Sequence, residues 1–446
     1  MAAIALGGAE ASAAWRAGAA GIVITPPQPM PMAGYASRGA QHAQGLLNDL
    51  YAKALVLEDD AGERGLLVTL DLVGVERQLS LSICERLQKA FGFERRQIVL
   101  AASHTHSGPV VAKNLRPMHY EVLSEADREL VDRYAQFLEE RIETVVREAL
   151  ATMGPAELSW GSGRAEFAVN RRNNREADVP QLREAGQLQG PVDHDVPVLA
   201  VRREGKLAAV VFGYACHCTV LSGFEWSGDY AGFAQQCLEE AHPGTVALFW
   251  AGCGGDQNPI PRRQVELARA YGEQLARSVE AVLAASLRPI RGGLNCSYRE
   301  IPLRFGELPT RESLLTASTS NNKYEAARAR YLLAKLEAGQ SLATTYPYPI
   351  TLWRLGSEVQ WYFLGGEVVV DYALRIKAEL GSEELGRTDV WVAAYAQDVM
   401  AYIPSRRVLL EGGYEGGGAM VYYGHPTVWS TDVEEQILEA VHAARR

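Results

Sequence analysis

The sequence predicts an α/β fold: a mixed central sheet flanked by helices, in one large domain. Three observations lead there. Short apolar runs of strand length alternate with longer stretches whose apolar residues recur at helical spacing. Several of the short runs are apolar almost throughout, the pattern of strands covered on both faces. Finally, the 446 residues contain no internal repeat and no Pro-, Gly- or Ser-rich linker that would divide them.

Gly65–Leu72, Ile98–Ala102, Val196–Val201, Ala208–Tyr214 and Val246–Gly252 read as buried strands. The clearest helix is Glu125–Met153, where Leu130, Val131, Tyr134, Leu138, Ile142, Val145 and Val146 fall on one stripe. Ser124 is its expected N-cap and Gly154 its stop. Arg263–Ala285 and Lys323–Glu337 are further helices, the second charged enough to be a surface excursion. Tyr348–Leu364 reads as a hairpin turning at Gly356-Ser357. Gly365-Gly366-Glu367 is expected to open a helix running to Leu380, with Glu367 in its first turn.

Residues 1–20 are Ala/Gly-rich and read as a poorly ordered or processed segment, leaving 21–446 as the folded domain. The segment has no basic n-region and is not an intact signal peptide. Ala11-Ser12-Ala13 resembles the remnant of a cleavage site, so the expectation is an exported protein, periplasmic or secreted.

Composition narrows the partners. Lys+Arg total 44 against 54 Asp+Glu, a net charge of −10. An acidic chain without basic blocks suits neither nucleic acid nor anionic membrane surfaces. No apolar run is long enough to span a bilayer, so stable membrane insertion is not expected. Six cysteines without metal-finger spacing do not read as a disulfide framework, and most read as small buried residues.

Four segments carry residues suited to chemistry. Ser103-His104-Thr105-His106-Ser107-Gly108-Pro109 follows an apolar strand directly. Positions i and i+2 of an extended chain share a side, so both imidazoles are expected to face one cleft. The alternative is a pair of hydrogen-bonded loop histidines. His217, flanked by Cys216 and Cys218, sits at the end of another apolar strand, where α/β folds place their clefts. Trp250–Pro259 brings Gly252, Gly254 and Gly255 to a strand end, which suggests a close backbone approach and amides free to donate, or else a tight turn. The last segment is the C-terminal region with Glu367, Tyr402, Tyr414 and Glu415, whose tyrosines read on composition alone as core or rim aromatics.

In order and spacing these segments resemble the neutral/alkaline, non-lysosomal ceramidase family. The likeness runs from Ile24-Thr25-Pro26-Pro27 and Ala33-Gly34-Tyr35-Ala36-Ser37-Arg38, through His104-Thr105-His106-Ser107-Gly108-Pro109, to Tyr414-Glu415, and so covers nearly the whole chain as a single catalytic domain. It implies a zinc amidase that splits an N-acyl bond in a small-molecule acyl substrate. By motif, it implies Zn2+ held by His104, His217, Glu367 and Tyr402, a chemically suitable ligand set. It also implies that His106, Arg171 and Tyr414 orient substrate or stabilise the oxyanion, with His106 able to pass a proton to the leaving amine.

There are two departures. The family motif Gly-Asp-x-Ser-Pro-Asn carries a serine, whereas here the segment reads Gly255-Asp256-Gln257-Asn258-Pro259. Asn258 is no nucleophile, but its amide can donate to an oxyanion or bind a hydroxyl. The chain also stops at Arg446, without the C-terminal immunoglobulin-like domain of the ceramidases. The expected substrate is therefore smaller and more polar than ceramide. The competing expectations are an ester or lactone hydrolase on the same zinc site, and a catalytically silent metal-bearing binding protein.

Overall fold

A computed structural model describes residues 15–445 apart from 385, 386 and 388. Its architecture is a four-layer stack, helices–sheet–sheet–helices. The large sheet contains β1 (Trp15–Val23), β2 (Tyr51–Glu58), β3 (Arg64–Leu70), β4 (Ile98–Ala102), β5 (Gly154–Arg164), β6 (Asp195–Arg203), β7 (Lys206–Tyr214) and β8 (Val246–Ala251). Their spatial order is β8-β7-β6-β5-β1-β2-β3-β4. The pairs at the two edges, β7/β8 and β3/β4, are parallel, and those between are antiparallel, so the sheet is mixed as expected. The small sheet is formed by β9 (Leu294–Arg304), β10 (Thr345–Leu355), β11 (Val359–Leu364) and β12 (Val390–Ala393), with β12 parallel to β11.

The long helices are α1 (Arg77–Phe91), α2 (Glu125–Ala151), α3 (Asp229–Ala241), α4 (Val265–Ala284), α5 (Lys323–Glu337), α6 (Val370–Leu380) and α7 (Val433–Ala444). Side chains alternate along the strands, so each sheet has two covered faces. Ala54, Val56 and Val68 pack on α1 and α2, whereas Val198, Val210 and Phe212 pack on α3 and α4. In the small sheet, Tyr348, Ile350 and Leu352 join α6 and α7 in the same cluster as the latter. Between the sheets lies a core that includes Trp15, Trp160, Trp250, Trp353, Trp361 and Trp391, all fully buried. Each large aromatic there carries roughly 3–5 kcal/mol against truncation to alanine.

The boundary expected at residue 20 is corrected: Trp15–Ala20 form most of β1, paired to β2 with Ala19 opposite Leu55. The Ala/Gly composition has a packing reason. A Cβ on Gly18 would come within 2.1 Å of the Ala149 carbonyl, so the bare strand lets α2 lie directly on it. Ala11-Ser12-Ala13 falls outside the described residues. Ser124 caps α2 as expected, its hydroxyl accepting from the Asp127 amide at 3.2 Å, but the helix ends at Ala151, and Gly154 already begins β5. Helix α5 is more than a surface excursion: Ala329, Leu332 and Leu333 are buried, and the Tyr324 hydroxyl donates to the Ala36 carbonyl at 2.6 Å. Among the described residues no helix is long and apolar enough to cross a membrane.

Candidate active site

Segments leaving the C-terminal ends of five strands meet at one place. His104 follows β4, His217 follows β7, the glycine run follows β8, Glu367 follows β11, and Tyr395 to Tyr402 follow β12. Backbone hydrogen bonds tie these segments to one another. The His217 amide donates to the Gln257 carbonyl at 3.1 Å, that of Gly255 to Val368 at 2.9 Å, and that of Glu367 to Ala401 at 2.8 Å. Clefts in α/β sheets form at strand C-termini, and here both sheets contribute.

Glu367 is not in a helix. It lies in the two-residue strand Glu367–Val368, parallel to Tyr402–Ile403, and α6 starts only at Val370. The glycine run is explained by this neighbour. A Cβ on Gly255 would sit 2.7 Å from the Glu367 carbonyl, so only glycine admits the contact. The expectation of free amides is corrected: Gly252, Gly254 and Gly255 donate to the carbonyls of Tyr214, Gly252 and Val368.

Glu367 Oε2 lies 3.1 Å from His104 Nε2 and 3.0 Å from His217 Nε2. Tyr402 Oη is 3.3 Å from His217 Nε2. All four residues are at least 95% buried. His104 Nδ1 is held by the Val73 carbonyl and His217 Nδ1 by the Gly254 carbonyl. A carbonyl accepts only, so each ring carries a proton on Nδ1 and turns Nε2 inward. His217 is pushed down to about 4 by burial and Arg171, with Glu367 opposing. Burial would raise Glu367, but His104 and His217 outweigh it and hold the carboxyl well below its usual range. A neutral His217 and an ionised carboxylate are the states in which such groups bind metals.

His106 Nε2 stands 3.0 Å from His104 Nε2, so the two imidazoles do share one cleft. An extended chain is not the cause, because His104 has φ 60°, a left-handed backbone uncommon for any residue but glycine. Ring nitrogens of His104, His106 and His217 lie within 4.8 Å of one another, a buried group that could hold a metal ion. His106 differs from the other two in that its buried Nδ1 has no partner among the described residues. Burial, then His104 and His217, push it well below the usual histidine range. Gly34 packs on this ring, where a Cβ would come within 2.5 Å. The Gly34 amide in turn donates to His119 Nε2 at 3.2 Å. His119 drew no notice in the sequence.

Arg171 follows the short strand Ala168–Asn170, which pairs antiparallel with Gln257–Pro259, and so comes beside Asn258. Its guanidinium donates to Asn258 Oδ1 at 3.1 Å, Tyr402 Oη at 3.1 Å, the Gly255 carbonyl at 2.9 Å and Glu415 Oε1 at 2.7 Å. Arg172 takes the other oxygen of Glu415 at 2.7 Å. Tyr414 stands at the mouth, 47% exposed, with its ring 5.3 Å from that of Tyr402. All eight residues expected at the site thus gather in one region. Cys216 and Cys218 are buried beside Tyr230, away from the ring nitrogens, in keeping with a packing role.

With the geometry in place, the comparisons give it a family. Residues 16–259, more than half of the chain, match the N-terminal region of the neutral/alkaline non-lysosomal ceramidases. The chain belongs to that family. It is 25% identical to the neutral ceramidase of Pseudomonas aeruginosa over 484 aligned residues, covering 93% of this chain and 69% of that protein. Neutral ceramidases B and A of Dictyostelium discoideum are each 24% identical over 47% and 52% of this chain, which are 31% and 34% of their own lengths. The crystal structure of the Pseudomonas aeruginosa enzyme superposes with a TM-score of 0.70 at 21% identity, over 96% of this chain and 73% of that one. A ceramidase complexed with C2 gives a TM-score of 0.71 at the same identity, over 96% of this chain and 74% of that one. The mixed sheets and flanking helices are therefore the ceramidase fold.

A cavity of about 490 Å³ opens beside Arg171, Asn258 and Tyr414. Its walls include Arg172, Arg262 and Glu176, with Ile260 among the few apolar contributors. Arg262 and Arg263 both pair with Glu176, so the guanidiniums are held in fixed positions.

Proposed function

We propose that the protein is a zinc-dependent hydrolase that cleaves the amide bond of an N-acyl compound smaller and more polar than ceramide. The observation that carries this reading is the convergence of His104 Nε2, His217 Nε2 and Glu367 Oε2, with both Nδ1 atoms tied to carbonyls. Tetrahedral zinc with bonds of 2.0–2.1 Å sets its ligands roughly 3.3 Å apart. The separations of 3.0, 3.1 and 3.3 Å among these three atoms and Tyr402 Oη fit that spacing. Metal-bound histidines anchor their second nitrogen, which His104 and His217 do and His106 does not. His104, His217, Glu367 and Tyr402 are thus the proposed ligands, and His106 stays outside the set.

Bound zinc would supply a water of lowered pKa and polarise the acyl carbonyl. The chain's own groups supply the rest. His106 is neutral, with Nδ1 unengaged, and is suited to pass a proton to the leaving nitrogen. Arg171 fixes Asn258 through Oδ1, which leaves the Asn258 amide hydrogens for the substrate oxygen. Tyr414 is a second donor at the mouth. The polar cavity, in which three arginines are matched by three glutamates, suits hydroxyls, amides or sugars on the substrate better than paired alkyl chains.

The test is elemental analysis together with turnover. The purified protein is expected to hold about one zinc per chain, in keeping with a single four-ligand site. His104→Ala and His217→Ala are each expected to lose stoichiometric metal, whereas His106→Ala and Tyr414→Phe keep the metal and lose kcat. Full zinc in both of the first pair would end the assignment.

A further inference from the structure

Glu367 has two carboxylate oxygens, and the fold treats them differently. Oε2 faces the two histidine Nε2 atoms at 3.0 and 3.1 Å. Oε1 receives the hydroxyl hydrogen of Tyr423. Glu367 is 3% exposed, so water cannot readily stand in for that donor. Tyr423 ends the short helix Met420–Tyr423 and is followed by Gly424 at φ 80°, a turn that glycine takes without strain. Two other phenols stand close to the ligands, and their surroundings differ: the Tyr395 ring stacks on that of His104 at 4.4 Å, and Tyr402 is the second. The Tyr402 oxygen lies beside His217 Nε2 and accepts from Arg171, whereas Tyr423 reaches the carboxylate alone.

We propose that Tyr423 is a positioning residue for Glu367: its hydrogen bond to Oε1 fixes which carboxylate oxygen is presented beside His104 and His217. The inference rests on the zinc reading above. A buried carboxylate with one oxygen unpartnered is costly and free to swing about its Cγ–Cδ bond. A donor on Oε1 removes both problems and holds Glu367 as a one-oxygen ligand. Outer partners of this kind set metal affinity without touching the metal.

The experiment is zinc titration against a chromophoric chelator, with visible absorption spectra of the Co2+-loaded protein. Tyr423→Phe is expected to weaken zinc about 10- to 100-fold, the usual cost of losing such a partner. It is also expected to shift the cobalt ligand-field bands at saturation, a signal read per bound metal and unmoved by a general loss of stability. Unchanged affinity and bands in Tyr423→Phe would overturn the proposal while leaving the zinc reading intact. Should the variant not fold, a crystal structure of the zinc-loaded parent decides. Tyr423 on Oε1 with the metal on Oε2 supports the proposal, and both oxygens on the metal overturns it. A parent protein that takes up no zinc overturns the metal reading instead, and this inference with it.

Discussion

Asn258 shows how a single residue can redirect a site. Arg171 offers only donors, so the asparagine must meet it with Oδ1, and the amide hydrogens point elsewhere. Asn258→Asp keeps the acceptor for Arg171 and nearly the same shape, but removes the donor and adds charge. The expected result is a fall in kcat of about 100-fold or more with a smaller change in KM, the pattern for a group acting in the transition state. Steady-state kinetics on the best substrate check it, and a variant with parental kcat would remove the amide from the chemistry. At this scale the sequence is readable where candidate-site side chains sit in short ordered motifs, as with His104 and His106, or His217 at its strand end. Roles made only by distant contacts are not readable. Tyr423 meets Glu367 across 56 residues, and Glu415 bridges Arg171 and Arg172 across more than 240. No local pattern marks Tyr423 as different from a rim tyrosine, and the motif Tyr414-Glu415 carries no sign of the two arginines that Glu415 meets.

Among the elements, the segment after β12 does more than connect. The Ala102 amide donates to the Tyr395 carbonyl and the Ala394 amide to Ala251, so this stretch joins both edges of the large sheet. Tyr395 also stacks on His104 at 4.4 Å. Three residues on, Asp398 is buried, with Oδ1 unpartnered among the described residues and Oδ2 accepting from Tyr346. Burial pushes its carboxyl up to about 7 from 3.8; the Tyr346 hydrogen bond and Arg77 oppose this, and Glu76 and Glu300 add to it. Between those values the folded chain holds a proton that the unfolded chain has released. Stability from this group is complete below about 4 and is lost as pH rises through about 7. Asp398→Asn mimics the protonated acid. It is expected to flatten that pH dependence and to exceed the parent above pH 7 by up to about 4 kcal/mol. Urea unfolding at acidic and alkaline pH measures this, and equal slopes in parent and variant would rule Asp398 out. The continuous apolar run Ile98–Ala102 and the periodic helices α2 and α5 are legible from residue pattern alone. Strand β1 is not, because its small residues are there to admit α2 rather than to bury bulk. Glu367 was misplaced in a helix because two residues of strand are too short for any period to show.

At the scale of the whole molecule, the stacked sheets bring five strand ends together and leave one polar cavity beside them. Its walls carry Arg171, Arg172 and Arg262 matched by Glu176, Glu411 and Glu415, with Asn258 and Asn174 between. Covering such groups with alkyl chains would strip their water and return no hydrogen bonds, a cost of several kcal/mol in an apolar setting. A hydroxyl, amide or sugar on the substrate would replace that water. The net charge of −10 gives no attraction to anionic bilayers, and among the described residues the large exposed hydrophobics are Leu46, Leu81, Leu315, Leu410, Tyr414 and Val428, of which Leu410 and Tyr414 flank the cavity wall formed by residues 411–413. The prediction is a preference for short N-acyl amino acids or N-acyl amino sugars over long-chain ceramide. In kcat/KM it should be on the order of a hundredfold, about 2.7 kcal/mol of transition-state stabilisation. A side-by-side assay of the zinc-loaded protein measures it, with matched esters and lactones to show whether the amide is the preferred bond. Arg172→Leu should narrow the gap by removing a donor from the cavity wall while leaving the proposed metal ligands in place. Efficient ceramide cleavage with none of the polar compounds turned over would reverse this reading and make the cavity a bystander to a lipid-binding face elsewhere.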